Sequence, residues 1–325
     1  MIYMKVHDPG ITHIAPMTIL KRVITRFVLF IFCAIPVVIL VSHLHKVEPR
    51  PPVVPPGPPY TGFHNPRRVT IHGYTGDAME PFVTKDGKYL LFNNLNEPSV
   101  NTNLHYAARI DDLTFDYKGE IAGVNTASLE GVPSVDRNGM LYFVSTRSYA
   151  STFSTLYRGR FRDGKVTDVE LVPGVSLQKP GIVNFDAEIS DDGSALYFVD
   201  GDLSKGSIPS SAVLVIATRE GAGFRRDPKS ADIFRNVNSS ALQYAPTISP
   251  DGLELFFTRF DRHSPNPMPT IYRATRKSLT VSFSPPQRIS AIEGFVEAPT
   301  LDSDGRTLYY HKREAGHFVL YRVTR

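Results

Sequence analysis

"YAPTISPDGLELFFTRF", residues Tyr244–Phe260, sets a Pro-Asp-Gly turn between two runs rich in β-forming residues. Glycine takes the positive-φ position that closes a tight hairpin, and Pro and Asp pre-set the turn ahead of it. The unit recurs. "MEPFVTKDGKYLLFNN" begins at Met79, "GVPSVDRNGMLYFVST" at Gly131, "FDAEISDDGSALYFVD" at Phe185 and "EAPTLDSDGRTLYYHK" at Glu297. The turn glycines, Gly87, Gly139, Gly193, Gly252 and Gly305, lie 52, 54, 59 and 53 residues apart. Near-constant spacing of one supersecondary unit marks a repeat fold, in which each copy buries its flat faces against its neighbours.

Each copy predicts the same four strands. A short strand such as "APTIS" precedes the turn, and an apolar one such as "LYF" or "LFF" follows it. A strand apolar on both faces is expected where sheets are sandwiched between sheets. A third strand comes next ("LHYAAR" from Leu104, "LYRGR" from Leu156, "LVIATR" from Leu214, "IYRATR" from Ile271, "LYRVTR" from Leu320), and then a less regular fourth. Four antiparallel strands per repeat of about 50 residues is a propeller blade. The last copy reaches only its third strand at Arg325, whereas "RRVTIHG", Arg67–Gly73, resembles "QRISAIEG", the outer strand preceding the fifth motif. The expectation is therefore an all-β, five-bladed propeller over residues 67–325, closed by an N-terminal strand that removes two open sheet edges. Six blades with one degenerate copy is the alternative, and the spacing leaves little room for it.

The Pro-x-hydrophobic-Ser-x-Asp-Gly-x-x-Leu-Tyr-Phe pattern of these copies resembles the TolB-type, WD-repeat-like propeller motif, over roughly residues 67–325. The resemblance implies architecture more than activity, because such repeats serve periplasmic scaffolds, the propeller halves of peptidases and glycan-active enzymes. TolB carries an α/β domain ahead of its propeller; here an apolar span and a proline-rich stretch stand in that place.

That span is "FVLFIFCAIPVVILVSHL", residues 27–44, which holds no charge. Eighteen residues just suffice to cross a hydrocarbon core as a helix. Lys21, Arg22 and Arg26 precede it, predicting a cytoplasmic segment 1–26 and a signal anchor in the inner membrane, with the propeller periplasmic or extracellular. A cleaved signal peptide, and a start at Met17, stay open. Seven prolines between Pro49 and Pro59 predict an extended, semi-rigid linker over 45–66. Charge follows the same division. The net +4 comes from residues 1–50, which hold six basic and two acidic residues; the remainder carries 30 of each. A neutral body argues against a nucleic-acid partner. The one cysteine, Cys33, falls in the span, so the propeller has no disulfide to form.

Motifs for chemistry are scarce. There is no Gly-x-Ser-x-Gly elbow, no phosphate-cradling glycine loop and no His-Glu-x-x-His. Asp86, Asp192, Asp251 and Asp304 sit in the hairpin turns, where local hydrogen bonding accounts for them. His72, His105, His311 and His317 fall in or beside strands and read as structural. Topology puts the starts of the innermost strands and the loops between second and third strands on one face. Carboxylates stand near those starts: Glu80, Glu130, Asp186, Glu188 and Glu297. The loops add Arg147, Tyr149, Arg259, Asp261 and His263, with Tyr244 beside the channel. Converging carboxylates suit acid/base work on a sugar, or a divalent cation at the channel mouth. They equally suit strand capping and ion pairing. No cofactor is expected. The leading expectation is a membrane-anchored binding or scaffolding module for a protein or envelope polymer; the alternative is a carbohydrate hydrolase or lyase.

Overall fold

The structure, a computed structural model, describes residues 55–96, 100–206 and 208–325. The expected cytoplasmic segment, the apolar span and the first part of the linker lie outside the described residues. Among those described, no helix is long and apolar enough to cross a membrane.

Five antiparallel blades follow one another. Blade 1 contains β3 (Met79–Val83), β4 (Tyr89–Asn93), β5 (Leu104–Arg109) and β6 (Thr114–Glu120). Blade 2 contains β7 (Glu130–Val135), β8 (Met140–Ser145), β9 (Leu156–Arg162) and β10 (Lys165–Leu171). Blade 3 is β11 (Ile182–Ile189), β12 (Ala195–Asp202), β13 (Ser211–Glu220) and β14 (Gly223–Arg226), and blade 4 is β15 (Leu242–Ile248), β16 (Glu254–Phe260), β17 (Thr270–Thr275) and β18 (Gln287–Arg288). Blade 5 has β19 (Val296–Leu301), β20 (Thr307–Glu314) and β21 (His317–Thr324). Its outer strand is β1 (His64–Arg68), antiparallel to β21 with Arg67 opposite Arg322. The segment Arg67–Gly73 is thus divided. Its first residues end β1, while β2 (Thr70–His72) crosses to run parallel with β6 on the rim of blade 1. The propeller also begins before Arg67: Gly57 and Tyr60 donate backbone hydrogen bonds to Pro286 and Arg288 along the edge of blade 4.

Burial explains the apolar second strands. Leu90 and Phe92 pack with Tyr309 and Leu320 of blade 5, whereas Leu91 between them packs with Leu141 and Phe143 of blade 2. Adjacent residues of one strand thus serve opposite neighbours, because side chains alternate across a strand. The hairpin turns behave as their composition dictates. Gly193 (φ +72°) closes its turn by donating to the Ser190 carbonyl, and Asp192 accepts from the Ser194 amide. These local hydrogen bonds hold the Asp192 carboxyl below its ordinary range. The arginines that end the third strands fasten the same turns. Arg219, Arg276 and Arg325 donate to the carbonyls of Gly193, Gly252 and Gly305, and Arg219 and Arg276 also reach Tyr142 and Tyr197 of the preceding blade.

All five innermost strands carry a bulge at one position. Glu80, Val132, Asp186, Ala245 and Ala298 have φ between +49° and +56°, and the strand pairing shifts register across each. Non-glycine residues seldom occupy this region, so the bulge has to be held from outside. Four of the five bulge amides donate to a side chain of the preceding blade: Glu80 to His311, Val132 to Asn93, Ala245 to Asp186 and Ala298 to Thr258.

Candidate functional site

The bulges build the axial channel. Glu80, Val132, Asp186, Ala245 and Ala298 form one level of its wall, and the residues two positions on, among them Phe82, Glu188 and Thr300, form the next. Only two of the five bulge positions carry acids. Glu297 precedes its bulge by one residue, in register with Tyr244, and joins the same cluster.

The cluster is linked by hydrogen bonds. The Tyr244 hydroxyl donates to Glu297 Oε1, and His311 Nε2 lies 3.1 Å from Glu297 Oε2. Because His311 Nδ1 accepts the Glu80 amide at 3.2 Å, the ring proton sits on Nε2 and is directed at Glu297. Asp186 accepts the Ala245 amide at 3.0 Å. All of Glu80, Asp186, Glu297 and His311 are buried, His311 completely. Burial pushes the Asp186 carboxyl up to about 7, against the Ala245 hydrogen bond and with help from Glu297. Glu80 is raised well above the carboxylate range by burial, then by the charges of Asp186 and Glu297. Tyr244 is likewise raised well above its ordinary value by burial, with Glu297 next. Desolvation of like charges favours shared protons over ionisation.

The other two carboxylates do not join. Glu188 lies one level along the channel, where it accepts from Ser134 at 3.0 Å and pairs with Lys85 at 3.4 Å. Burial raises its carboxyl, opposed chiefly by the Lys85 charge. Glu130 is fully buried away from the channel lining, where it receives the Thr126 amide, the Thr126 and Ser145 hydroxyls and Arg147. It latches the loop that leads into blade 2.

The expected loop-face residues are also redistributed. Arg147 is spent on Glu130 and lies over the Tyr157 ring. Tyr149 is buried, its hydroxyl donating to Ile182 and accepting from the Gly181 amide. Arg259 is 7% exposed and lies over Tyr272. Asp261 is half-buried and receives the His263 amide, leaving His263 as the exposed member. What sequence reasoning missed on this face is apolar. Val100, Ile208 and Met268 protrude from second-to-third-strand loops, and Leu177 from the connection into blade 3. Each sits in a run of turn-forming residues ("PSV", "SLQ", "SIP", "PMP"), where a large apolar side chain has no strand to pack on.

The enclosed space between the carboxylates is about 30 Å³. That is room for about one water and an order of magnitude below the roughly 300 Å³ at which small-molecule sites begin. Among the described residues, no three His, Cys, Asp or Glu side chains are arranged to hold a metal ion.

By sequence, no family model and no curated protein matches the chain. Solved structures do. The chain is similar to a glycoside hydrolase at 12% identity, covering 83% of this chain and 92% of that one with a TM-score of 0.53. It is similar to a candidate glycoside hydrolase from Parabacteroides distasonis at 13% identity, covering 85% and 95%, TM-score 0.51. TolB from Acinetobacter baumannii is 15% identical, with 77% of this chain and 55% of that one covered and a TM-score of 0.43. The chain thus spans little more than half the length of that TolB. At these identities the likeness is one of fold.

Proposed function

We propose that the propeller is a binding module, held outside the inner membrane by its N-terminal span, that engages a protein partner across the loop-bearing face. The observation that carries this reading is the set of exposed side chains Val100, Leu177, Ile208 and Met268, which are 36–50% exposed and all emerge on that face. Large apolar side chains exposed from several polar loops of one face suit a protein contact. The channel supports it from the other side, since its carboxylates surround only a water-sized space. The test is pull-down from envelope extract with the full chain and with the Ile208→Asp/Met268→Asp variant. Selective loss of one retained protein, with the melting temperature unchanged, is the expected result. Equal retention by both would remove the proposal.

A second reading, glycan cleavage, is favoured by one observation: Glu80 and Asp186 are buried acids raised together beside a third carboxyl, an arrangement that suits general-acid work. The fold is one that glycoside hydrolases also use. Turnover of a broad glycan panel, abolished by Asp186→Asn, would establish it; absence of turnover would exclude it.

A further inference from the structure

At the rim where blade 5 meets blade 1 lies an open groove of about 660 Å³, lined by Arg67, Arg68, Thr70, Thr114 and Arg322, with Asp111 and Asp112. It owes its charge to the closure. Arg67 stands directly opposite Arg322 across the β1–β21 pair, a like-charge pairing that disfavours the strand contact unless an anion intervenes. Arg67 and Arg68 are exposed, and Arg322 Nε is buried with no hydrogen-bond partner. Among the described residues, none of these three arginines forms an ion pair. Asp112 pairs with Arg109 at 3.4 Å, while Asp111 receives the Leu113 amide at 2.7 Å and the Thr114 hydroxyl and faces Arg322 without reaching ion-pair distance. Three guanidinium groups with the Thr70 hydroxyl, one guanidinium N–H buried and unmatched, are suited to several oxygens of a compact anion. Guanidinium forks fit phosphate in just this way.

We infer that this groove binds a phosphate group, presented either by a soluble phosphate or by the phosphodiester headgroup of a lipid. The bound group would bridge β1 and β21, with Thr70 of β2 beside it on the rim of blade 1, so it would reinforce the seam that completes the ring. A ligand that binds only the folded state stabilises it by RT ln(1 + [L]/Kd), so the melting temperature rises with the logarithm of ligand concentration once that exceeds Kd.

The test uses the full chain in non-ionic detergent, with thermal melting followed as inorganic phosphate or glycerophosphoglycerol is titrated at constant ionic strength set by chloride. The expected result is a rise in melting temperature that becomes linear in the logarithm of probe concentration above Kd. Arg322→Gln should move the onset of the rise to at least about tenfold higher probe concentration, the loss of one charge-assisted interaction, while Arg67→Lys keeps a measurable response. Asp111→Asn, which removes a competing anion, should tighten binding. A rise with the diester comparable to that with phosphate points to a lipid headgroup; a rise with phosphate alone points to a soluble ligand. No rise with either probe, or the same rise in the Arg67→Gln/Arg322→Gln variant, would overturn the assignment.

Discussion

Replacing Asp186 by Asn should change how stability depends on pH. In the unfolded chain the carboxyl titrates near 3.8, and in the folded one near about 7. Between those values the folded state keeps a proton that the unfolded state has released, so stability falls as pH rises. It levels off above about 7. The slope is about 1.4 kcal/mol per pH unit for one proton, giving a ceiling of about 4 kcal/mol over the interval. Asn carries no charge, yet its side-chain oxygen can still accept the Ala245 amide. Asp186→Asn should therefore match the wild type at pH 4 and exceed it at pH 8. At roughly 2–4 °C per kcal/mol for a domain of this size, the gain at pH 8 is up to roughly 8–16 °C. Melting curves of both proteins from pH 4 to 8.5 decide it. A constant offset across that range, or a variant less stable at pH 8, would refute the reasoning that Asp186 is buried beside Glu80, Glu297, Tyr244 and His311 with its charge uncompensated.

Two further substitutions test the ring itself. Phe63→Ala, which removes a buried ring edge-on to Phe256 at 5.7 Å and beneath Arg325, should cost about 3–5 kcal/mol in urea denaturation. A cost under 1 kcal/mol would show that the chain leading into β1 adds little. His311→Leu leaves the Glu80 amide and Glu297 without their partner and should cost about 2–3 kcal/mol. His311→Asn should recover part of that, because Asn93 does the same work for Val132.

The fold was legible because its determinants are local and repeated. The Asp-Gly turns and the doubly apolar strands need no partner to be recognised, and five copies at one spacing leave a ring as the way to bury both faces. The arginines ending "AAR", "ATR" and "VTR" were visible as strand ends, but their bonds to the turn glycines cross between strands. The site was less legible for a related reason. A two-residue difference in position decides whether an acid enters the channel, as Glu80 and Asp186 do, or turns between blades, as Glu130 does. That difference is set by the bulge, which has no marker shared by all five copies: Pro follows it in four, and Ala187 in blade 3. Tyr149 and Arg259 misled because a loop or strand-end position says nothing about which neighbouring blade lies within reach.

The bulges also determine how the ring comes apart. At Glu80, Val132, Ala245 and Ala298 the strained backbone of one sector is answered by a side chain from the sector before it, so four of the five sectors lean on a neighbour to hold their inner edge in shape. Excising the first, third, fourth or fifth copy would strand a donor at the axis as well as open a gap in the wheel. Melting of one sector is therefore coupled to that of its neighbours, by this handing of hydrogen bonds from sector to sector as well as by the shape of the wedges.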